Sequence, residues 1–262
     1  MTMQPQMVGL RRSSTVKLLA KSIGIAVQFA RGAWLVTLRF PGWQKAQKLQ
    51  AIQRWAQQLL DILEIEVQSN KLPQADFSGL VVSNHLSWLD ILVLQSLMPG
   101  CFVAKTEVRY WPVVGYLAQA CATIFVDRSS PRSARSMVDD TAAAIAQGYA
   151  VVVFPEGTSS NGQNLGDFHA NIFESAIRAQ APVQLLSLQY LDRNSGKAAT
   201  AAHFIDDMTL VGSIKDVMAT SSIQARVHIG ECIGAEGHTR KTLAHRAHQA
   251  IHTHLFSPAY ET

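Results

Sequence analysis

The spacing of hydrophobic positions changes once along the 262-residue chain, near residue 65. From 16 to 40 the run "VKLLAKSIGIAVQFARGAWLVTLRF" is strongly apolar but is interrupted by Lys21 and Arg31. It therefore never offers the roughly 18 uncharged positions of a membrane-spanning helix, and it reads as an interfacial one. Pro41-Gly42 closes that element. Between 43 and 63, Ala46, Leu49, Ile52, Ala56, Leu59, Leu60 and Leu63 recur at helical spacing among Gln, Lys and Arg, which predicts a second amphipathic helix. Downstream the pattern becomes short apolar runs separated by helical stretches. The runs at 80–83, 101–104, 123–126, 150–154, 182–190 and 225–229 predict strands; 133–147, 168–179 and 239–256 predict helices, the last ending near Pro258. This alternation predicts an α/β fold: a mixed, largely buried sheet flanked by helices, preceded by an amphipathic two-helix element. The division expected is residues 1–65 for membrane association and 66–262 for a catalytic domain, with residues 1–15 loosely ordered and no convincing signal-peptide cleavage region.

Charge sharpens the first division. Residues 1–60 hold nine basic side chains and no acidic one, so the rest of the chain carries 14 basic against 19 acidic residues beneath an overall +4. With 48% hydrophobic and only 16% charged residues, the basic segment reads as a contact surface for anionic lipid rather than for nucleic acid. Cys101, Cys121 and Cys232 have no close metal-ligand spacing and read as reduced, mostly buried thiols. His245, His248 and His252 can share one face of the last helix, but with no carboxylate or cysteine nearby they read as packing or surface residues, and no metal is expected.

The chemistry lies at strand ends. "GLVV" at 79–82 runs directly into "SNHLSWLD", which puts His85 just past a strand and Asp90 five positions on. If a helix begins near Ser87, the Asp90 carboxylate can reach back to one ring nitrogen and leave the other to take a proton. No serine stands in a nucleophile elbow and no cysteine in an activating context, so the attacking group is assigned to the substrate, such as an alcohol. Other strand ends bring Lys105 and Glu107, Asp127 and Arg128, and the turn Pro155-Glu156-Gly157-Thr158. Arg and Lys there could hold a phosphate, and Glu156 could either accept from a substrate hydroxyl or hold the turn rigid.

Four blocks in order over about residues 75–190 carry a resemblance: Asn84-His85 with Asp90; Lys105, Pro112 and Gly115 followed by "IFVDR" at 124–128; "FPEGT" at 154–158; and Ala181-Pro182-Val183. In these the chain is similar to the glycerolipid acyltransferase family, whose best known members are 1-acylglycerol-3-phosphate acyltransferases. The resemblance implies that His85 is the general base and Asp90 its partner. It further implies that Asn84, Lys105, Arg128, Glu156, Gly157 and Thr158 serve acceptor binding. The donor implied is a fatty acyl thioester on acyl carrier protein or coenzyme A, with no other cofactor and with a transfer that needs no acyl-enzyme. The partners implied are a lysolipid acceptor, the thioester carrier and an anionic membrane surface, at the cytoplasmic face of a bacterial inner membrane. The acceptor expected is a lysophospholipid such as 1-acylglycerol-3-phosphate. Where the family continues Gly-Thr-Arg-Ser, however, this chain reads Gly157-Thr158-Ser159-Ser160-Asn161, which removes a cation and leaves room for lyso-ornithine lipid. An acyl thioester hydrolase and a noncatalytic lipid-binding protein are the rival classes.

Overall fold

A computed structural model describes residues 14–127, 130–205 and 207–257. The expectations for 1–13, Arg128 and Pro258 lie outside the described residues. Seven strands form one sheet in the order β1-β7-β6-β2-β5-β3-β4. They are β1 (Glu66–Ser69), β2 (Gly79–Ser83), β3 (Cys101–Lys105), β4 (Ile124–Val126), β5 (Ala150–Val153), β6 (Val183–Asp192) and β7 (Ile223–Ile233). β6, β2, β5, β3 and β4 run parallel, whereas β7 is antiparallel to β6 and carries β1 parallel to itself, so the sheet is mixed. The helices are α1 (Thr15–Leu38), α2 (Lys45–Leu63), α3 (Leu89–Leu97), α4 (Val114–Ala120), α5 (Pro131–Ala146), α6 (Phe173–Arg178), α7 (Leu210–Ala219) and α8 (Arg240–Phe256).

Strand alternation explains the layers. On one face Leu80, Val82, Val151, Val153, Val183 and Leu185 pack against Ile145 of α5, Phe173 of α6 and Leu243 of α8. On the other, Val81, Val152, Leu186 and Leu188 meet Leu60 and Leu63 of α2, Val93 and Leu94 of α3 and Val217 of α7. Every β2 residue is buried, as a central parallel strand covered on both faces requires. Of the three thiols, Cys101 lies in this core and is pushed up to about 11 by burial, whereas Cys232 is exposed, contrary to the expectation for it.

The two N-terminal helices use their apolar residues differently. α2 buries Ile52, Ala56, Leu59, Leu60 and Leu63. α1 is apolar on two sides: Leu18, Ile25 and Phe29 pack against the core beside the buried Lys21, Gln28 and Gly32, while Val16, Leu19, Ile23, Val27, Trp34 and Leu38 form an exposed stripe. Successive members of the stripe are three, four or seven residues apart, so they lie on one side of the helix. Among the described residues no helix is long and apolar enough to cross a membrane.

Lys21 is inside for an electrostatic reason. Its Nζ donates to the carbonyls of Leu63 (3.3 Å) and Met218 (3.2 Å), at the carboxyl ends of α2 and α7, and lies 3.0 Å from Glu64. One ammonium thus satisfies the last turns of two helices whose dipoles point negative charge at it. Lys21→Met keeps most of the stem but leaves those carbonyls unpartnered, so it should cost about 2–4 kcal/mol in denaturant unfolding. Lys17→Met, which removes an exposed charge 3.9 Å from Glu64, should cost less than about 1 kcal/mol in the same assay.

Candidate active site

The carboxyl ends of β6, β2, β5, β3 and β4 share one edge of the sheet, so the segments that follow them are neighbours. β2 leads into His85, β5 into Phe154–Thr158, β3 into Lys105 and β4 into Asp127. At about 4.8 Å per strand, the end of β4 lies three spacings, or about 14 Å, from that of β2. That span suits a polar head group with a reacting hydroxyl at one end.

After Ser83 the chain turns and α3 begins at Leu89, which puts Asp90 in the first turn of that helix. The completely buried Asp90 carboxylate reaches back over the turn. Its Oδ2 accepts from His85 Nδ1 at 2.8 Å, from the Leu86 N–H at 2.7 Å and from the Ser87 N–H at 3.0 Å. Its Oδ1 accepts from the Tyr190 hydroxyl at 2.8 Å. Because Oδ2 already receives two backbone N–H groups, it meets His85 as an acceptor. Nδ1 therefore carries the hydrogen and Nε2 the lone pair. Burial, reinforced by the Asp90 charge, holds the Tyr190 phenol well above its ordinary range, so it remains a neutral donor.

Nε2 has no hydrogen-bond partner among the described residues, and the His85 side chain keeps 21% of its exposure, so a hydroxyl can approach it. The ring lies flat on Phe154, with centroids 4.1 Å apart and planes 12° from parallel. The main chain of His85 is held at both ends: its N–H donates to Glu156 Oε1 at 2.8 Å, and its carbonyl accepts from the Ser160 N–H at 2.9 Å. Side chain, ring face and peptide are thus all fixed before any substrate arrives, which is the preorganisation that proton transfer favours.

The other residues expected at the site divide into two groups. Asn84, expected to touch substrate, is instead a buried strut. Its Nδ2 donates to the Leu188 carbonyl at 3.0 Å and its Oδ1 accepts from the Leu188 N–H at 2.8 Å, tying the end of β2 to β6 with no polar atom left over. Of the two roles open to Glu156, the geometry selects the rigid turn. Its second oxygen accepts from the Gly166 N–H at 2.8 Å, so both oxygens are committed to backbone. Burial raises its pKa, and the two N–H donors work against that rise. Gly157 turns the chain with φ +78°, a conformation disfavoured for other residues. Thr158 and Lys105 remain exposed at the edge, while Arg128 lies outside the described residues.

Pro112 and Gly115 belong to the scaffold. A Cβ on Gly115 would stand 2.1 Å from the Arg109 carbonyl, so only glycine lets α4 settle on the short helical turn Thr106–Tyr110. One positioning residue escaped the sequence reading. Tyr190 is separated from Asp90 by 100 residues, and its only local sign is a phenol inside an apolar run. Ser159, noted in the sequence as standing where the family has an arginine, donates to the Phe204 carbonyl. The α8 histidines pack on rings, His248 against Phe168 at 5.1 Å and His252 against Phe256 at 4.9 Å. Among the described residues no three or more His, Cys, Asp or Glu side chains converge on a potential metal site.

A histidine braced by a buried aspartate, with its other ring nitrogen left open at the carboxyl edge of a parallel sheet, defines a site suited to acid–base chemistry. Comparison with known proteins narrows the class. Residues 64–189 match the family model described as Acyltransferase. A lyso-ornithine lipid O-acyltransferase of Pseudomonas aeruginosa is 33% identical over 256 residues, covering 97% of this chain and 95% of that protein. A 1-acyl-sn-glycerol-3-phosphate acyltransferase of Neisseria meningitidis serogroup B is 31% identical over 181 residues, 68% of this chain and 70% of that protein. The crystal structure of the 1-acyl-sn-glycerophosphate acyltransferase PlsC from Thermotoga maritima has the same fold, with a TM-score of 0.70, 19% identity and coverage of 92% of this chain and 93% of that one. The chain belongs to the glycerolipid acyltransferase family.

Proposed function

We propose that the protein is a lysolipid O-acyltransferase in which His85 acts first as base and then as acid. The acceptor hydroxyl gives its proton to Nε2 while its oxygen attacks the carbonyl carbon of an acyl thioester. The tetrahedral adduct then breaks its C–S bond, and the imidazolium Nε2–H protonates the departing thiolate. The products are an acylated lipid and the free thiol of coenzyme A or acyl carrier protein, and His85 is regenerated. The observation that carries this reading is the His85–Asp90 pair itself, with both Asp90 oxygens held by further donors that fix the carboxylate beneath the imidazole.

For the acceptor we favour lyso-ornithine lipid. Support comes from the full-length similarity to an enzyme of that name, and from Ser159, which stands in place of the family arginine and is spent on the Phe204 carbonyl. Without that cation the rim has less positive charge for a phosphate monoester. The second reading, 1-acylglycerol-3-phosphate, draws on the Neisseria relative and on Lys105 exposed at the edge. The exposed apolar stripe of α1, with only basic charges along residues 14–60, fits a surface helix on an anionic bilayer, peripheral or monotopic at the cytoplasmic face.

The test is a panel of lysophosphatidate, lysophosphatidylethanolamine, lysophosphatidylcholine and lyso-ornithine lipid, offered with mass-tagged acyl-coenzyme A and acyl carrier protein thioesters. The expected result is acylated lyso-ornithine lipid formed at least about tenfold faster than the rest, the scale of discrimination that one charged contact supplies. Preference for lysophosphatidate would move the assignment to the second reading. Thiol release at the same rate without acceptor, with free fatty acid as the product, would make the protein a hydrolase.

A further inference from the structure

We propose that the turn at residues 110–116 is a second membrane contact. It would grip the bilayer at the lip of the catalytic edge, independently of the α1 stripe. The inference rests on the bilayer-docking reading above and extends it to a segment that follows Lys105 and holds Pro112 and Gly115, away from the N-terminus.

Four large side chains of this short segment face outward: Tyr110, Trp111, Val113 and Tyr116, with exposures from 38% to 77%. Isolated surface apolars are ordinary, but four within seven residues form a patch that water gives no reason to display. The backbone adds an independent observation. Val113 has φ +61° and ψ −52°, and the Val114 N–H donates to the Pro112 carbonyl at 2.6 Å. This is a γ-turn of the rare, strained hand, centred on a β-branched residue that disfavours positive φ. Strain of this kind persists where the surroundings over-determine it, and here Gly115 pressed against the Arg109 carbonyl fixes the return of the chain into α4. The result is that an apolar side chain stands at the tip of a turn where Gly or Asn would relieve the backbone.

The position is specific. The segment follows Lys105 at the end of β3, on the edge that holds His85. On its other side it abuts α1, where the Tyr116 hydroxyl and Thr37 Oγ1 lie 2.9 Å apart, one turn or less from Trp34 and Leu38 of the stripe. Aromatic rings with polar tips suit the boundary between head groups and acyl chains. Charge selects an anionic surface: Arg109, stacked 4.8 Å over Phe125, and exposed Lys105 flank the patch, and Glu107 is the one acidic residue between 98 and 126. With α1 as one footing and this turn as the other, the carboxyl edge of the sheet lies against the bilayer, and a lysolipid hydroxyl can reach Nε2 while its acyl chain stays in hydrocarbon.

The experiment uses the full chain and vesicles of phosphatidylglycerol and phosphatidylethanolamine whose acyl chains carry bromine, which quenches tryptophan at short range. Wild type, Trp34→Phe and Trp111→Phe are compared for quenched emission, and Val113→Asp for partitioning onto unlabelled vesicles. Both tryptophan variants should lose a share of the quenching, and Val113→Asp should partition roughly tenfold more weakly with no loss of thermal stability in solution. If Trp111→Phe is quenched as fully as wild type while Trp34→Phe is not, and Val113→Asp binds within twofold of wild type, the turn is not a contact and docking through α1 alone stands. If wild type fails to bind vesicles at all, the docking reading falls and this inference with it. Vesicle-free sedimentation in which wild type self-associates and Val113→Asp does not would reassign the patch to a contact between copies of the chain.

Discussion

Acyl transfer by the His85→Ala protein is expected to fall by about 10³- to 10⁴-fold, the contribution of one well-placed group acting as base and then acid. The fold should survive, because the ring is partly exposed and the main-chain bonds from His85 to Glu156 and Ser160 do not depend on the side chain. Vesicle partitioning should therefore match wild type. The measurement is the initial rate of acylated product with saturating thioester, alongside near-ultraviolet circular dichroism. A variant that kept more than about a tenth of wild-type turnover would remove His85 from the proton path and, with it, the mechanism proposed.

The second large effect belongs to Asp90→Asn, and it should differ in kind. Four donors converge on the carboxylate: the His85 ring, two backbone N–H groups and the Tyr190 hydroxyl. An amide presents one acceptor oxygen and one NH₂ group. With its NH₂ on the cluster, three N–H groups face a donor; with its NH₂ on Tyr190, the phenol must turn from donor to acceptor and a neutral oxygen replaces the carboxylate under the three N–H groups. The expected cost is about 2–4 kcal/mol in unfolding free energy, together with a loss in kcat of about 10³-fold or more as the imidazole tautomer is no longer fixed. His85→Ala should show the kinetic loss without a stability loss of that size. A folding free energy for Asp90→Asn within about 0.5 kcal/mol of wild type would contradict the buried network described above.

How much of this could be read beforehand depended on distance along the chain. His85 and Asp90 are five residues apart, and a turn followed by a helix start was enough to bring them together. The six strands expected from apolar runs are present, with β6 and β7 extending past the expected ends through residues such as Asp192 and Glu231. β1 escaped because "EVQS" is four residues long and only Val67 among them is apolar. α4 escaped because seven residues are too few for a sustained period, whereas α7 was missed although Leu210, Ile214, Val217 and Met218 recur at helical spacing. Asn84 and Glu156 were located correctly in the sequence, but their partners are the backbone of other segments, which leaves no side-chain pattern to read. Tyr190 depends on the pairing of β2 with β6, a long-range fact set by topology. The same limit hid the orientation of α1: Lys21 interrupts an apolar run in sequence, yet in space it faces inward, with Gln28 and Gly32.

The outward stripe of α1 bears on how the molecule must be handled. Hydrocarbon turned toward plain buffer favours neighbouring copies screening one another in the absence of a better host. If the stripe docks as proposed, detergent or a lipid nanodisc stands in for the surface it would meet, and a preparation without either is expected to associate through α1.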